Sequence, residues 1–415
     1  MATIKFDDFS ITLRKVRVHD NYHGPLNYRI EVGTGGMIWG NFYRNGSLKY
    51  LNHGIDEGIR VYHALGGGGI FGYRQFHRGY VERLTPDHPK YVDSEHRKLS
   101  LAEVLIDRAI DEIGDVKFEG HPYETTEFSS LDEVLAILGK LKTSQERKQD
   151  ARSLVNVLGH VPIISPYVLK TGYNVVTYSA TKGCGERCPG CLFVDGQGRI
   201  VERTLDDLKN QHQVYRGILG DDDYNDVVDF DVFIGNNRGM GGDFNNFLGF
   251  AREVREMHRP GAKIFVFAHP EDILRVGSDI AELKGIIDDV DVGAETFSQE
   301  SMRKMKRSIG MPELRRVVEI LRDSGVPHSY NLGAGFESGN HVQESIDFVD
   351  TGIFGNENKP TIYVPRKLVR VNGERPIVEN PTLAQEQETA FMTELGRRKL
   401  EVLPYPPVSF TGESY

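Results

Sequence analysis

All three cysteines of the chain lie in one short segment, Cys184-Gly-Glu-Arg-Cys188-Pro-Gly-Cys191. A disulfide framework would use an even number of cysteines spread along the chain, so this cluster indicates a metal site. Three thiolates leave one corner of a tetrahedral zinc site, or one iron of a four-iron cluster, without a cysteine ligand. Zinc would need a distant fourth ligand such as His160 or His269, and purely apolar cysteines fit poorly among Gly, Glu, Arg and Pro. The segment therefore favours an iron–sulfur cluster with one open iron, with zinc as the alternative.

Strand-like and helix-like segments alternate around and after the cysteines. Apolar runs predict strands over 173–179, 226–234, 263–267, 290–295, 326–334 and 361–371. Helices are predicted between them, over 245–257, 272–283, 312–323 and 343–350. Such alternation predicts six β/α units around a parallel sheet. The short, nearly continuous apolar runs are typical of strands that are covered on both faces.

The CxxxCxxC spacing of Cys184, Cys188 and Cys191 resembles the cysteine loop of the radical S-adenosylmethionine (radical SAM) superfamily. In that family the loop follows the first barrel strand, as it does here. The residue before the last cysteine is usually aromatic, whereas here it is Gly190, with Phe193 as the nearby aromatic residue. The segments 292–307 and 331–337 resemble fourth-strand and fifth-strand motifs of the branch that includes oxygen-independent coproporphyrinogen dehydrogenase and the methylthiotransferases. The resemblance covers residues 171–371.

The resemblance implies an α/β fold built on a partial (β/α)6 TIM-like barrel, which we place at residues 166–375. A separate α+β N-terminal domain is expected over 1–165, and the first half of it alternates as short strands and turns do. Capping-box patterns at Ser100 and Ser130 predict two helices in its second half. Residues 376–415 are expected to form a C-terminal helix and tail.

The cofactors implied by the resemblance are a 4Fe-4S cluster and SAM, and the protein is expected to be an enzyme. The cluster is expected on Cys184, Cys188 and Cys191. The backbone of the Gly-rich loop after the second strand is expected to receive the SAM amino group at Gly235, Asn236 and Asn237, with Gly241-Gly242-Asp243 as second choice. Further cofactor contacts are expected at Phe193, at Glu295 and Ser298 near the ribose, and at Gly333 near adenine. Ser298 equally suits a helix N-cap, and Gly333 a turn.

The implied reaction is reductive cleavage of SAM to a 5′-deoxyadenosyl radical that abstracts a substrate hydrogen. No cysteine remains outside the motif, which excludes a cysteine-bound auxiliary cluster. We therefore expect a single-cluster enzyme that rearranges, eliminates, cyclises or oxidises a small polar metabolite, with flavodoxin or ferredoxin as electron donor. The alternatives are a cobalamin-dependent radical SAM methyltransferase, with residues 1–165 as its cobalamin domain, and a non-catalytic zinc-binding protein.

Charge and hydropathy narrow the expected partners. The chain has 60 acidic and 50 basic residues and a formal net charge of -10, with no block of Lys and Arg. Nucleic acid is therefore not an expected partner. No apolar run approaches the roughly 18 residues that a membrane span needs, and the first residues do not form the apolar region of a signal peptide. We expect no membrane contact and a cytoplasmic location.

Overall fold

The computed structural model describes residues 2–5, 10–16, 27–33, 37–42, 48–54, 60–64, 72–76, 80–84, 107–108, 110–111, 123–125, 128–143, 145–146, 149, 153, 175–184, 199–219, 231–235, 238–337, 340–355, 359–365, 368–370, 376–378 and 380–405. The chain forms two compact units. One comprises Met1–Val176, Asn210–Phe230 and Glu413–Tyr415. The other comprises Thr177–Lys209 and Asp231–Gly412.

Nine antiparallel strands form the sheet of the first unit. They are β1 (Ala2–Lys5), β2 (Ser10–Val16), β3 (Asn27–Gly33), β4 (Met37–Phe42), β5 (Leu48–Gly54), β6 (Arg60–Ala64), β7 (Gly72–Phe76), β8 (Tyr80–Leu84) and β9 (Tyr123–Thr125). Their order is β8-β7-β6-β5-β4-β3-β2-β1-β9, so β1 to β8 form a meander. This agrees with the short strands predicted here. The described part of residues 1–165 contains no parallel Rossmann-like sheet, the arrangement that the cobalamin alternative requires.

Helix α1 (Leu131–Leu138) begins at Ser130 in the first unit. The hydroxyl of Ser130 accepts a hydrogen bond from the N–H of Glu133 at 3.2 Å, and the Glu133 carboxylate accepts one from the N–H of Ser129 at 2.7 Å. These bonds satisfy N–H groups at a helix start, as the sequence pattern predicts. The helix expected at Ser100 begins outside the described residues.

Seven strands form the main sheet of the second unit, in the order β10-β13-β14-β15-β16-β17-β20. They are β10 (Val175–Tyr178), β13 (Asp231–Ile234), β14 (Ile264–Ala268), β15 (Asp289–Glu295), β16 (His328–Leu332), β17 (Thr361–Pro365) and β20 (Glu401–Tyr405). Two small antiparallel sheets join β11 (Thr181–Lys182) to β12 (Val201–Glu202) and β18 (Leu368–Arg370) to β19 (Pro376–Val378). The strands from β13 to β17, and β20 beside β17, pair in parallel.

Helices connect these strands. They are α2 (Leu205–Leu219), α3 (Phe244–Met257), α4 (Pro270–Val276), α5 (Gln299–Lys304), α6 (Met311–Ser324), α7 (His341–Asp350) and α8 (Pro381–Arg397), with a 3₁₀ helix over Gly277–Leu283. On α6 the apolar stripe of Leu314, Val317, Val318 and Leu321 is fully buried, as its spacing predicts. The second unit is therefore an α/β fold with a parallel sheet, a partial TIM-like barrel.

The two faces of the sheet differ in chemistry. Strands β13 to β17 follow one another in space as in sequence, and parallel crossovers are right-handed, so their helices cover the same face. That face is apolar and fully buried at Val232, Ile264, Val290 and Ile362. The opposite face faces the barrel interior and carries partly exposed residues at alternate positions of β15 and β17. The C-terminal ends of the strands border this interior, the usual location of a barrel active site.

Two segments differ from the sequence prediction. The predicted sixth strand over 361–371 is two strands, because the chain leaves the sheet after Pro365 and β18 pairs with β19 instead. The segment 376–415 was expected to be a helix and tail, but after α8 it returns as β20 and pairs in parallel with β17. The main sheet thus has a seventh strand. β20 lies at the edge of the sheet, where a proline such as Pro404 is tolerated, although a proline in the sequence disfavours the prediction of a strand.

Candidate active site

Cys184 lies just after β11 and is buried, with 8% of its surface exposed. It follows Gly183, whose φ of 95° is a left-handed conformation that glycine adopts without strain. Cys188, Cys191 and Phe193, the other predicted residues of this loop, lie outside the described residues. Of the expected cluster ligands, the structure therefore places Cys184.

The guanidinium of Arg238 provides positive charge near Cys184. Burial opposes the charge of Arg238, but hydrogen bonding and charge from Asp272, together with the charges of Glu271 and Cys184, raise its pKa above the ordinary value. Arg238 is itself paired with Asp272 and Glu271, and cysteine ligates metal as the thiolate. A buried sulfur in such surroundings fits an iron–sulfur cluster, whose ligands are thiolates.

His269, considered above as a fourth zinc ligand, has a structural role. It is the N-cap of α4, and its Nδ1 accepts a hydrogen bond from the N–H of Glu271 at 3.3 Å. Burial, with the charges of Arg307 and Arg238, lowers its pKa to about 2. The other histidine considered, His160, lies outside the described residues.

The Gly-rich loop begins at Gly235, directly after β13. The N–H of Gly235 donates to the carbonyl of Tyr178 at 2.9 Å, which joins the loop to the end of β10. A Cβ on Gly235 would lie 2.3 Å from the ring of Phe233, so the absence of a side chain is needed here. The predicted contacts Asn236 and Asn237 lie outside the described residues.

The second-choice segment, Gly241 to Asp243, is engaged in starting a helix. Asp243 is the N-cap of α3, and its side chain accepts a hydrogen bond from the N–H of Asn245 at 2.7 Å. The N–H of Asp243 donates to the carboxylate of Glu202 at 2.9 Å. Gly242 lies against the same Glu202 side chain, which a Cβ would approach to 2.4 Å. These contacts favour Gly235 over this segment as the cofactor contact.

Glu295 lies at the C-terminal end of β15 in a strained conformation, with a φ of 66°. Left-handed backbone in a residue other than glycine costs roughly 1–2 kcal/mol and is most often found at functional sites. Burial raises the pKa of its carboxyl, and the charge of Arg307 partly opposes that rise. The carbonyl of Glu295 accepts a hydrogen bond from the N–H of Gly333 at 2.7 Å, which joins the ends of β15 and β16.

Ser298 is fully buried and caps α5. Its hydroxyl accepts a hydrogen bond from the N–H of Ser301 at 3.2 Å. This is the N-cap role that the sequence also suggests, and a ribose contact from this hydroxyl stays a prediction.

Gly333 is held between two neighbouring segments. Its carbonyl accepts a hydrogen bond from Nε2 of His341 at 2.8 Å, and Nδ1 of His341 lies 3.0 Å from Oγ1 of Thr296. A Cβ on Gly333 would lie 2.7 Å from the Phe336 ring. Gly335, with a φ of 105°, forms the following turn. The sequence analysis did not assign His341 or Thr296, because nothing local relates residues so far apart in the chain.

The interior face of the sheet carries polar residues that the sequence analysis missed. The hydroxyl of Ser329 donates to the Asp289 carboxylate at 2.6 Å, and the amide of Asn331 donates to Asp291 at 2.7 Å. Burial raises the pKa of Asp289 to about 6, with the Ser329 hydrogen bond opposing and the charge of Asp288 adding to the rise. Burial and the charge of Asp289 raise the pKa of Asp291 to about 7. The signal available in the sequence was the spacing of two in Asp-x-Asp and Ser-x-Asn.

Residues 178–349 match the sequence profile of the Radical SAM superfamily. Residues 178–349 therefore carry a radical SAM domain. The matched span includes the three cysteines, Gly235, Glu295 and Gly333. No curated protein matches the chain.

Solved structures of radical SAM enzymes are similar to this chain at low identity. Coproporphyrinogen III oxidase (HemN) from Escherichia coli is 15% identical, over 54% of this chain and 53% of that chain, with a TM-score of 0.39. The chain thus spans about half the length of that enzyme. Methylornithine synthase (PylB) is 14% identical over 71% of this chain and 78% of its own, with a TM-score of 0.38. Streptococcus suis SuiB is 13% identical over 84% and 71%, with a TM-score of 0.38. Similarity at this level extends to neither reaction nor substrate.

Among the residues that the structure describes, no helix is both long and apolar enough to cross a bilayer.

Proposed function

We propose that this protein is a radical SAM enzyme that uses a single 4Fe-4S cluster, held by Cys184, Cys188 and Cys191, to act on a small polar metabolite. When bound, the cluster would supply the electron for cleavage of SAM to methionine and a 5′-deoxyadenosyl radical, the species that would take a hydrogen atom from the substrate. The outcome is a rearrangement, elimination, cyclisation or oxidation. The proposed electron donor is a flavodoxin or ferredoxin, and the proposed location is the cytoplasm, where thiolate ligands stay reduced.

The observation that supports this proposal concerns the described residues Gly235, Glu295 and Gly333, which lie at the C-terminal ends of strands of one sheet. Backbone hydrogen bonds connect successive strand ends there: Gly235 N–H to Tyr178 carbonyl at 2.9 Å, Gly333 N–H to Glu295 carbonyl at 2.7 Å, and Ala334 N–H to Pro365 carbonyl at 2.7 Å. Cys184 also lies after a strand end, because β11, which precedes it, begins three residues after the C-terminal end of β10 at Tyr178. This end of the sheet can therefore offer one bound cofactor the sulfur of Cys184, the carboxylate of Glu295, and the glycines Gly235 and Gly333, which allow the backbone to approach closely.

Each residue has a proposed task on SAM. The loop at Gly235, Asn236 and Asn237 receives the amino group on backbone atoms, and Gly235, which has no Cβ, allows the close approach. The carboxylate of Glu295 accepts hydrogen bonds from the ribose hydroxyls. Gly333 lets the backbone lie against adenine. Phe193 takes the place of the missing aromatic residue beside Cys191.

The proposed polar substrate is supported by the barrel interior. Asp289, Asp291, Ser329 and Asn331 lie on the face that the helices leave uncovered, and their hydrogen-bonding groups suit hydroxyl or amino groups rather than an apolar molecule. With a pKa of about 7, Asp291 can hold or release a proton near neutral pH.

The proposal is tested on anaerobically purified protein. We expect four irons and four sulfides per chain, and 5′-deoxyadenosine after addition of dithionite and SAM. Cys188→Ala should abolish both the cluster and the nucleoside, whereas Thr389→Ala, an exposed substitution on α8, should leave both unchanged. One zinc without iron would refute the proposal in favour of a zinc-binding protein. Cobalamin in the purified protein would favour the methyltransferase alternative.

A further inference from the structure

Arg238, in the loop after β13, forms a buried ion pair with the first turn of helix α4. Its Nε donates to Oδ2 of Asp272 at 3.0 Å, and its Nη2 bonds to Oδ1 of the same carboxylate. Its Nη1 donates to Glu271 at 3.1 Å. Arg238 is 9% exposed and Asp272 is fully buried. A two-pronged guanidinium–carboxylate pair of this kind fixes orientation as well as distance.

The backbone around Arg238 is also tied on both sides. Its carbonyl accepts a hydrogen bond from the hydroxyl of Thr181 at 2.6 Å, and Thr181 lies three residues before Cys184. On the other side, the N–H of Gly239 donates to the carbonyl of Phe267 at 3.2 Å, at the end of β14. Residues 238 and 239 therefore connect the strand that leads into the cysteine loop with the end of the third strand.

Stability alone is a weak reason for such an ion pair. Taking two charges out of water is costly, and apolar residues of similar volume often replace a buried pair without loss of stability. What the pair supplies is a fixed geometry. Arg238 immediately follows Gly235, Asn236 and Asn237, the proposed contact for the SAM amino group.

We propose that Arg238 is a positioning residue, whose contacts hold residues 238 and 239 in place beside the strand that leads to Cys184, directly after the proposed SAM contact, and so set the affinity for SAM. This inference rests on the proposed function, because it takes Gly235 to Asn237 as the SAM contact. In this role Arg238 acts through the bonds of its side chain to Asp272 and through the bond of its carbonyl to Thr181.

Four variants test the proposal on cluster-loaded protein. Arg238→Lys keeps the positive charge but cannot make the two parallel hydrogen bonds of the guanidinium to Asp272. The double variant Arg238→Met with Asp272→Leu removes the ion pair without leaving a buried unpaired charge. Thr181→Val removes only the bond to the carbonyl of Arg238. Arg252→Met is the matched control, because Arg252 pairs with Glu282 at 3.4 Å on the exposed surface of the same unit.

Binding is measured without turnover, as the Kd of SAM for the oxidised holoprotein. The electron paramagnetic resonance (EPR) spectrum of the reduced cluster, recorded with and without SAM, is the second readout. We expect four irons per chain in all variants, and a Kd raised at least about tenfold in Arg238→Lys and in the double variant. Thr181→Val should raise the Kd less, and Arg252→Met should not change it. In turnover, the KM for SAM should rise more than kcat falls.

Wild-type SAM affinity in Arg238→Lys and in the double variant, at full iron content, would overturn the inference. Loss of iron from all the Arg238 variants would also overturn it, because Arg238 would then serve the folding of the cysteine loop. Failure of the proposed function itself is distinguishable, since wild-type protein would then lack the cluster or would not bind SAM.

Discussion

His341 donates a hydrogen bond from Nε2 to the carbonyl of Gly333, at 2.8 Å. A carbonyl only accepts, so Nε2 carries the hydrogen, and in the neutral imidazole Nδ1 then accepts from the hydroxyl of Thr296, 3.0 Å away. Thr296 Oγ1 in turn accepts a hydrogen bond from the N–H of Ser298 at 3.0 Å. One fully buried imidazole on α7 thereby joins the segments after β15 and β16, the two that carry Glu295 and Gly333.

Replacing His341 by alanine should destabilise the protein by about 3 kcal/mol, because the Gly333 carbonyl loses its partner and a cavity forms. The matched control on the same helix is Gln343→Ala, which removes an exposed bond to Asp347 and should change stability by less than about 0.5 kcal/mol. Chemical denaturation of both variants measures the difference. Equal stabilities would contradict the assigned role of the imidazole.

Two glycines of the second unit should respond in opposite ways to alanine. A Cβ on Gly239 would lie 2.6 Å from the backbone carbonyl of Phe267, which cannot move aside, so Gly239→Ala should destabilise by about 2 kcal/mol. Gly249 lies within α3 with nothing within 4 Å of a Cβ, so Gly249→Ala should stabilise by about 1 kcal/mol. Thermal unfolding of the two variants is the measurement. A stabilising Gly239→Ala would show that the loop does not pack against β14 as described.

Regular periodicity explains how much of the fold the sequence predicted. The predicted helix over 312–323 is Met311–Ser324, and the predicted strand over 290–295 is Asp289–Glu295. Each carries its own apolar pattern and a turn at both ends. The strand Glu401–Tyr405 was missed because five residues that include a proline provide no such pattern. Its pairing with β17 depends on tertiary structure.

The sequence offered site candidates only where one residue type carries the signal. Cysteine spacing selected Cys184, and glycines after predicted strands selected Gly235 and Gly333, whose places at strand ends the structure has and whose cofactor contacts stay predictions. Asp291 and Asn331 were missed because the apolar residues on the other face of each strand dominate its sequence pattern. Arg238 and Asp272 are 34 positions apart, and their pairing becomes visible only once parallel strands place their loops side by side.

Asp291 should make stability depend on pH. Its folded-state pKa of about 7 is above the roughly 4 of an unfolded aspartate, so the bound proton stabilises the folded state. That stability is complete below about pH 4 and is lost as pH rises through about 7. Asp291→Asn, which has no proton to lose, should therefore gain stability relative to wild type as pH rises from about 5 to about 8, on the order of 2 kcal/mol.

The measurement is urea denaturation of wild type and variant at matched cofactor content across that pH range. Asp289→Asn should show the same trend, ending about one pH unit lower because the pKa of Asp289 is about 6. A stability difference that stays constant with pH would show that Asp291 is ionised throughout the range.

Glu295 should show opposite effects on stability and on function. Glu295→Gly relieves the left-handed strain and removes a buried carboxyl whose pKa is raised, so it should stabilise the protein by about 1 kcal/mol. If the carboxylate binds the SAM ribose, the same variant should bind SAM at least about tenfold more weakly.

Glu295→Asn separates these two effects. Asparagine tolerates left-handed backbone better than most residues, so this variant relieves part of the strain, but its shorter neutral side chain does not replace the carboxylate. We expect it to lie between wild type and Glu295→Gly in unfolding free energy and to match Glu295→Gly in its weak binding of SAM. Wild-type SAM affinity in both variants would remove Glu295 from the cofactor site. The left-handed backbone of Glu295 would then serve only to join the ends of β15 and β16, where the N–H of Gly333 donates to the carbonyl of Glu295.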